Sequence, residues 1–354
     1  MTSPFPETGK IQEDFLKDHV FPSTGAARDE VISGPRYGVD VSVIQLAAGQ
    51  SLVMATDPAS LIPTLGLQES AWLSVHLVAS DVATAGTRPR YAQFCLNLPE
   101  TLTTRDFHVY WDHISEYSRK LGVAITGGHT GKVAGQNSTI AGGVTMLSTI
   151  ASEQVLLSSM ARPGDHLILV KEPAIISSAI LALSFPETIL NKCGKEVLET
   201  GQGLFYESST VEASMSAITV GIHDEGVRAM HDVTEGGVMG AIWEMIQAAG
   251  CGVRVNYEAI PNETAQERIC QVFGIDHNHC IGAGALLLSV APGHQQRVVD
   301  HLVNDGFRAS VIGEVLEPSE GRWVAERDGH RSLTPPGTDP YWTAFFNALK
   351  SGLK

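Results

Sequence analysis

The chain reads Met230-His231-Asp232-Val233-Thr234-Glu235-Gly236-Gly237 directly before an apolar segment, Val238 to Ala249, that predicts a helix. Asp232 or Thr234 is placed to cap that helix, and the two glycines leave its first backbone amides open to an anion. An ordinary capped helix explains the same residues without any ligand. The motif therefore marks a helix N-terminus and leaves its use open.

A second glycine cluster, Thr126-Gly127-Gly128-His129-Thr130-Gly131, lies in the first half of the chain. It follows a short predicted strand, where glycines let backbone amides approach a bound anion closely. It matches neither the dinucleotide fingerprint nor the phosphate loop that ends in Gly-Lys-Ser/Thr. A tight turn is the simpler interpretation of these residues taken alone.

Three aspartates adjoin or interrupt apolar segments. Asp40 precedes a predicted strand, Asp57 ends the next one, and Asp81 lies within a helix of small residues. A buried carboxylate needs a cation or several donors, because its desolvation is costly. Carboxylates at strand ends and on a facing helix suit Mg²⁺, which often takes phosphate oxygens as its other ligands. Turn, cap and salt-bridge roles explain the same residues equally well, so both interpretations stay open.

The segment His277-Asn278-His279-Cys280, which follows Cys270, is the remaining candidate metal site. Histidine and cysteine are zinc ligands, but no second pair at ligand spacing accompanies them. A plain loop is therefore favoured over a zinc site.

Predicted strands and helices alternate along the whole chain, which is typical of an α/β or α+β fold. At about 150 residues per domain, 354 residues indicate two domains, 1–155 and 156–354. The tail from residue 317 is expected to wrap the surface before a last segment at 341–349. The strands are expected at 39–46, 51–56, 90–98, 123–126, 139–149, 166–170, 252–255, 284–290 and 309–315. The helices are expected at 9–20, 68–85, 103–121, 173–183, 209–221, 237–249 and 293–305.

The charge balance narrows the class of partner. The chain carries 39 acidic and 24 basic residues, a formal net charge of -15, which disfavours nucleic acid and anionic membranes. No signal peptide or membrane-length apolar run is visible. The five cysteines form no Cys-x-x-Cys pair, which is typical of reduced thiols, so a cytoplasmic protein is expected.

Seven segments in this order resemble the aminoimidazole ribonucleotide (AIR) synthetase, or PurM-like, superfamily, most closely its HypE-like, AIR synthase-related branch. The resemblance covers residues 9–318. The matching segments are 38–44, 55–57, 79–86, 127–130, 230–237, 282–287 and 312–315.

The resemblance implies an N-terminal α/β domain (1–155) that binds ATP and Mg²⁺ and pairs its sheet with a twin in a homodimer. It implies a C-terminal α/β domain (156–354) and a small-molecule substrate. Asp40, Asp57 and Asp81 would hold Mg²⁺ and phosphate, with Asp57, Asp81 and His129 as catalytic residues. The nucleotide-binding residues implied by it are Lys10, Asp40, Gly127, Gly128, Thr130, Asp232, Thr234, Glu235, Gly236 and Gly237.

The sequence also departs from the family pattern. Val39, His129 and Gly131 stand where acidic residues are frequent, so the number of Mg²⁺ ions is open, and His129 is expected to contact a phosphate or carry a proton. The chain closes Gly352-Leu353-Lys354 without the C-terminal cysteine of HypE, and its first cysteine is Cys95, not the N-terminal Cys or selenocysteine of selenophosphate synthetase. Neither of those two reactions is expected.

The resemblance therefore predicts a Mg-ATP-dependent enzyme that activates a small substrate by phosphoryl transfer, through amide-oxygen phosphorylation, dehydration or ligation. Two alternatives stay open. One is a small-molecule kinase resembling thiamin-monophosphate kinase, and the other is a non-catalytic nucleotide-binding or maturation-scaffold protein.

Overall fold

The computed structural model describes residues 9–47, 49–262 and 264–354. Within these residues the strands form two mixed sheets, with six strands from the first half of the chain and seven from the second. The two-domain α/β fold is therefore as predicted. The connection between the sheets runs from Ala151 to His166. The division at residues 155 and 156 lies within it and stays a prediction.

The first half contains six strands and three helices among its described residues. The strands are β1 (Val31–Ser33), β2 (Ser42–Gln45), β3 (Gln50–Ser60), β4 (Tyr91–Pro99), β5 (Ala124–Val133) and β6 (Ile140–Ala151). The helices are α1 (Glu13–Phe15), continued by a π-helical turn at Leu16–Val20, α2 (Leu67–Thr84) and α3 (Thr104–Leu121). The sheet order is β1-β2-β3-β6-β4-β5.

Side chains alternate across this sheet with the period of two expected of half-buried strands. In β3, Val53 and Ala55 are buried on the side where α2 packs. Leu52 and Met54 are half-buried and Thr56 is exposed on the other side. One face therefore packs against helices, and the other carries a mixture of apolar and polar side chains near the surface.

The second half contains seven strands and eight helices among its described residues. The strands are β7 (His166–Val170), β8 (Val227–Asp232), β9 (Gly252–Asn256), β10 (Leu286–Val290), β11 (Ala309–Leu316), β12 (Arg322–Glu326) and β13 (Gly329–Ser332). The helices are α4 (Ile175–Ser184), α5 (Pro186–Cys193), α6 (Lys195–Gly203), α7 (Val211–Thr219), α8 (Gly237–Ala249), α9 (Ala265–Val272), α10 (Gln295–Asn304) and α11 (Pro340–Lys350). The sheet order is β13-β12-β9-β11-β7-β10-β8.

A buried ion pair lies inside the second sheet. Asp165 is fully buried and accepts hydrogen bonds from the guanidinium of Arg228, the backbone N–H of Arg162 and the hydroxyl of Ser289. Because each donor compensates part of the lost hydration, the carboxylate is tolerated at the start of an otherwise apolar strand.

Most predicted elements are confirmed, including the cap of α3, where the Thr103 hydroxyl accepts the N–H of Asp106. Three expectations are wrong, and β8 at Val227–Asp232 was not predicted. Asp57 does not end its strand, because β3 continues to Ser60. The 127–130 cluster is not a turn but part of β5. The tail after residue 317 does not simply wrap the surface, because β12 and β13 extend the sheet.

None of the helices in the described ranges is long and apolar enough to span a membrane.

Candidate functional site

A cleft of about 1150 Å³ is lined by residues from both halves of the chain. Four aspartates line it: Asp40, Asp57, Asp81 and Asp232. The three aspartates predicted in the first half are therefore brought together with the one in the Met230–Gly237 motif.

Each aspartate reaches the cleft through the element that carries it. Asp40 stands two residues before β2, and Asp232 is the last residue of β8. Asp57 lies in β3 in alternation with the buried Ala55 and Ala59, so it shares the helix-covered face of the first sheet. Asp81 lies in the last turns of α2, which packs against both β3 and β8.

Burial disfavours the charged forms of three of these carboxyl groups, and repulsion between aspartates adds to it at Asp81 and Asp232. Burial raises the pKa of Asp57 to about 6, against the opposing charge of Lys10. Burial and the charge of Asp40 raise the pKa of Asp232 to about 8. Burial and the charges of Asp232 and Asp57 hold the pKa of Asp81 well above its usual range. The cluster is therefore short of positive charge.

Three neighbouring side chains present atoms that fit a cation. Ligand atoms of Asp40, His231 and Asp232 all lie within 4.8 Å of one another, the one such group of three in the described part of the chain. Oδ2 of Asp40 is buried and has no hydrogen-bond partner among the described residues. Carboxylate oxygens are the preferred protein ligands of Mg²⁺, so Asp40 and Asp232 fit that ion, whereas both ring nitrogens of His231 already face carboxylates.

A chain of ion pairs runs through His231. Its Nδ1 lies 2.7 Å from Oδ1 of Asp40, and its Nε2 lies 3.0 Å from Oε2 of Glu244. Burial alone would lower the pKa of His231, but the carboxylates of Asp40 and Glu244 outweigh it and raise the pKa to about 10. Nζ of Lys10 lies 2.7 Å from Oε1 of Glu244. Lys10 therefore lines the cleft with its ammonium held by a carboxylate.

The turn before α8 forms another part of the cleft, but the predicted residues Gly236 and Gly237 do not line it. The predicted capping by Asp232 or Thr234 is wrong, because the N-cap is Gly236 in the left-handed conformation, without a side-chain cap. The backbone N–H of Gly236 donates instead to Oδ2 of Asp339, at 2.8 Å. Thr234 and Glu235 line the cleft, and Glu235 accepts the backbone N–H of Lys10.

A Cβ on Gly237 would lie 2.6 Å from the carbonyl oxygen of Asn278. Since the contact is with backbone, glycine is required there, and the 276–284 loop supports the start of α8.

The predicted residues Gly127, Gly128, His129 and Thr130 do not reach this cleft within one chain. One row across the sheet runs from Asp57 through Val144 and Phe94 to Gly128. Three strand spacings separate its ends, roughly 14 Å. All four residues are exposed on the edge strand β5.

Two side chains of the His277–Cys280 segment have partners nearby in the chain. Nδ1 of His279 lies 2.9 Å from Oδ2 of Asp276. Sγ of Cys280 lies 3.9 Å from Sγ of Cys270, and both thiols are buried. The plain loop stays a prediction.

Sequence reasoning missed His231 and Glu244 as site residues. His231 lies inside the Met230–Gly237 motif beside Asp232, and nothing else in the sequence distinguishes it as a site residue. Glu244 is an acid within the apolar segment Val238 to Ala249, and that interruption was the available signal.

The two mixed sheets and the carboxylate-lined cleft define a two-domain α/β protein with a site suited to a cation and an anionic ligand. The chain belongs to the AIR synthase related family. Residues 38–150 match the family's N-terminal domain and residues 162–325 its C-terminal domain. The resemblance predicted from the sequence is thereby confirmed.

Two curated relatives are enzymes of this family. The chain is 27% identical over 271 residues to carbamoyl dehydratase HypE of Escherichia coli K12, covering 76% of each protein. It is 25% identical over 313 residues to selenide, water dikinase of Shigella flexneri, covering 81% of this chain and 85% of that protein.

Solved structures share the fold. HypE in a complex with HypF aligns with a TM-score of 0.71 at 19% identity, covering 91% of this chain and 99% of that one. HypE in complex with ATP aligns with a TM-score of 0.65 at 19% identity, covering 95% and 97%. Thiamine monophosphate kinase of Aquifex aeolicus aligns with a TM-score of 0.63 at 17% identity, covering 82% and 91%. The prediction of an ATP-using enzyme of this family agrees with these relatives.

Proposed function

We propose that this chain is a cytoplasmic Mg-ATP-dependent enzyme that activates a small substrate by phosphoryl transfer in the acidic cleft. The observation that carries the proposal is the convergence of Asp40, Asp57, Asp81 and Asp232 from separate elements. Carboxylates whose charged forms are disfavoured by their surroundings, as at Asp57, Asp81 and Asp232, are costly to the fold unless a cation neutralises them. Mg²⁺ is such a cation, and a bound polyphosphate would provide its remaining oxygen ligands.

The protein's own residues have distinct tasks in this proposal. Asp40 and Asp232 hold the metal, and Asp57 and Asp81 complete its acidic surroundings. His231 stays protonated between Asp40 and Glu244 and fixes the orientation of Asp40. Thr234 and Glu235, in the turn before α8, line the cleft and would lie beside the phosphates. Bound Mg²⁺ supplies neutralisation of the charge on the transferring phosphoryl group.

The nature of the acceptor distinguishes two forms of this chemistry. A dehydratase or ligase phosphorylates an oxygen and then expels it as phosphate, whereas a kinase leaves the phosphate on its product. The names of the HypE relatives favour the dehydratase or ligase. The fold shared with thiamine monophosphate kinase leaves the kinase as the alternative. With γ-³²P-labelled ATP and candidate substrates, label recovered as inorganic phosphate supports a dehydratase or ligase, and label on an organic product supports a kinase.

We further propose that the enzyme works as a homodimer that pairs the open faces of the first sheets. Leu52, Met54 and Leu147 lie on that face among polar side chains, and none is fully buried in one chain. In such a dimer, strand β5 of one chain, which carries Gly127 to Thr130, would lie beside the cleft of the other chain. Mixing Asp57→Asn protein with His129→Ala protein tests this arrangement, because a mixed dimer then regains one complete site. Absence of recovered turnover in a verified mixed dimer rejects it.

Calorimetry tests the central proposal. Mg-ATP is titrated into the wild-type chain, into Asp57→Asn, and into a control, Asp328→Asn, whose exposed carboxylate lies in the turn between β12 and β13. Binding by the wild type and the control, with loss in Asp57→Asn, is expected. No heat of binding with folded wild-type protein rejects the proposal. Tight binding without turnover across a substrate screen favours the non-catalytic alternative.

A further inference from the structure

The last helix, α11, has two apolar faces. Tyr341, Phe345 and Ala348 are buried in the core against α4, α5 and α9. A second face, about 100° around the helix, carries Trp342, Phe346 and Leu349. Trp342 is half-buried against the same core, Phe346 is 42% exposed and Leu349 40%. A surface helix usually turns polar side chains outward, so this second face is a candidate binding surface.

Two aromatic side chains of that face line the acidic cleft. Trp342 and Phe346 stand one helical turn apart, with ring centroids 6.5 Å apart and planes 21° from parallel. Leu16 and Phe21, from the N-terminal turns, line the same cleft. Apolar and aromatic walls beside a few charged groups are typical of sites for small organic ligands.

Trp342 is tied closely to the charged part of the cleft. A Cβ on Gly9 would lie 2.8 Å from Oε2 of Glu235 and 3.4 Å from Cδ1 of Trp342. Gly9 therefore runs between the indole and Glu235, and its neighbour Lys10 binds Glu244. The start of α11 is held by its N-cap residue Asp339, whose carboxylate accepts the backbone N–H groups of Gly236 and Tyr341. Trp342 and Phe346 therefore line the same cleft as the aspartates.

The helix α11 stands outside the parts of the chain that match the two family domains. It lies beyond residue 325, where the match to the family's C-terminal domain ends. The cleft of about 1150 Å³ also exceeds the roughly 300–1,000 Å³ of a typical small-molecule pocket. It therefore has room for an organic ring beside a metal-bound polyphosphate.

We propose that Trp342 and Phe346 form an aromatic subsite that binds a planar nitrogen heterocycle by stacking. The inference rests on the proposed function, since it assigns part of the ligand of the same cleft. Two sources supply such a ring, namely the base of ATP itself and a ring on the acceptor substrate. Both use the same chemistry, because every flat π-system can stack on an indole.

Binding measurements separate the two sources. Three variants are compared with the wild type: Trp342→Leu removes the ring, Trp342→Phe keeps a ring, and Trp323→Leu is the matched control. Trp323 is 37% exposed on β12 and does not line the cleft. The probes are Mg-ATP, Mg-tripolyphosphate, and benzimidazole added with and without saturating Mg-ATP.

Trp342→Leu is expected to weaken one ring-bearing probe on the order of tenfold or more. Tripolyphosphate should bind unchanged, and Trp342→Phe should stay within about threefold of the wild type because it retains a stacking face. Weakening of Mg-ATP assigns the subsite to the base. Weakening of benzimidazole on the ATP-saturated protein assigns it to the acceptor.

Three results overturn the subsite. They are unchanged affinity of Trp342→Leu for both ring-bearing probes, equal weakening of tripolyphosphate, and equal losses in Trp342→Leu and Trp342→Phe. If the wild type binds neither Mg-ATP nor Mg-tripolyphosphate, the proposed function fails. Benzimidazole titrated into nucleotide-free wild type and Trp342→Leu then still decides the subsite.

Discussion

Nδ1 of His231 lies 2.7 Å from Oδ1 of Asp40, which joins the end of β8 in the second sheet to the loop before β2 in the first. Both side chains are nearly buried, so the contact exists only when the two halves of the chain are packed together. The imidazole also faces Glu244, and the two carboxylates keep it protonated at neutral pH. His231 and Lys10 supply positive charge within the cleft, and the acids there still outnumber them.

Asp57→Asn is expected to raise stability in metal-free buffer while it removes Mg-ATP binding. Burial raises the pKa of Asp57 from 3.8 to about 6. The folded state therefore holds this proton more tightly, and the charged carboxylate costs stability as pH rises from 3.8 through 6. At pH 8 in EDTA the variant should gain about 1–3 kcal/mol in the free energy of unfolding. Urea titrations at pH 4 and pH 8 measure the gain, which should shrink at the lower pH.

Asp165→Asn is the matched control for that experiment. Asp165 is also buried, but it accepts three hydrogen bonds, one of them from Arg228. Loss of its charge leaves the guanidinium uncompensated and should lower stability by about 3 kcal/mol. A gain in both variants would mean that the uncompensated burial of the Asp57 carboxylate is not the cause.

The aspartates of the first half were predictable from the sequence because a charge beside an apolar segment stands out. Asp40 and Asp81 line the cleft as their placement suggested, although their metal-binding role stays a prediction. Glu244 also interrupts an apolar segment, but the sequence does not show which side chain it meets. Its pairing with His231 depends on how α8 packs in the fold, which the sequence pattern does not give.

Strands β5, β12 and β13 were likewise not predictable from the local sequence. Gly127 and Gly128 favour a turn locally, yet β4 provides a parallel partner that makes them a strand. The polar residues of β12 and β13 form strands because the edge of β9 is available to pair with β12. Local propensity is weak in such segments, and non-local pairing outweighs it.

His76 should make stability depend on pH below neutrality. Its ring stacks on Trp72 with centroids 3.6 Å apart, and Nδ1 is buried without a partner in the described ranges. Burial, aided by the charge of Lys171, lowers the pKa to about 3. The unfolded chain therefore binds this proton from pH 6.5 downward while the folded state does not, so stability is lost as pH falls.

The contribution of His76 between pH 7 and pH 5 is expected to be about 2 kcal/mol. His76→Phe keeps a ring beside Trp72 and cannot titrate, so its free energy of unfolding should fall less over that interval. His108→Phe, at an exposed site on α3, should retain the wild-type slope. Identical slopes in all three proteins would show that His76 titrates normally in the folded state.

Glu244→Gln should be more damaging than loss of its lysine partner. The Glu244 side chain is 2% exposed and lies between His231 and Lys10. Removing its charge leaves a buried imidazolium with one fewer carboxylate, at a cost of about 3 kcal/mol. Lys10→Met should cost about 1 kcal/mol or less, because the lysine side chain is 46% exposed. Equal costs in denaturant unfolding would make the lysine, not the histidine, the main partner of Glu244.

The two glycines of β5 should differ strongly in their response to the same substitution. Gly128 has φ +142°, and a Cβ built on it would overlap the carbonyl oxygen of Phe94 in β4. Since neither backbone can yield without breaking the β4–β5 ladder, Gly128→Ala should lower the free energy of unfolding by roughly 3 kcal/mol or more. Among the described residues, no atom lies within 4 Å of a Cβ built on Gly127. Gly127→Ala should therefore stay within about 0.5 kcal/mol of the wild type in urea titrations.

If Gly127→Ala is as stable as the wild type but loses Mg-ATP turnover, Gly127 acts at the partner's nucleotide site. If it keeps full turnover, the role of the glycine pair is confined to the packing of Gly128 against β4.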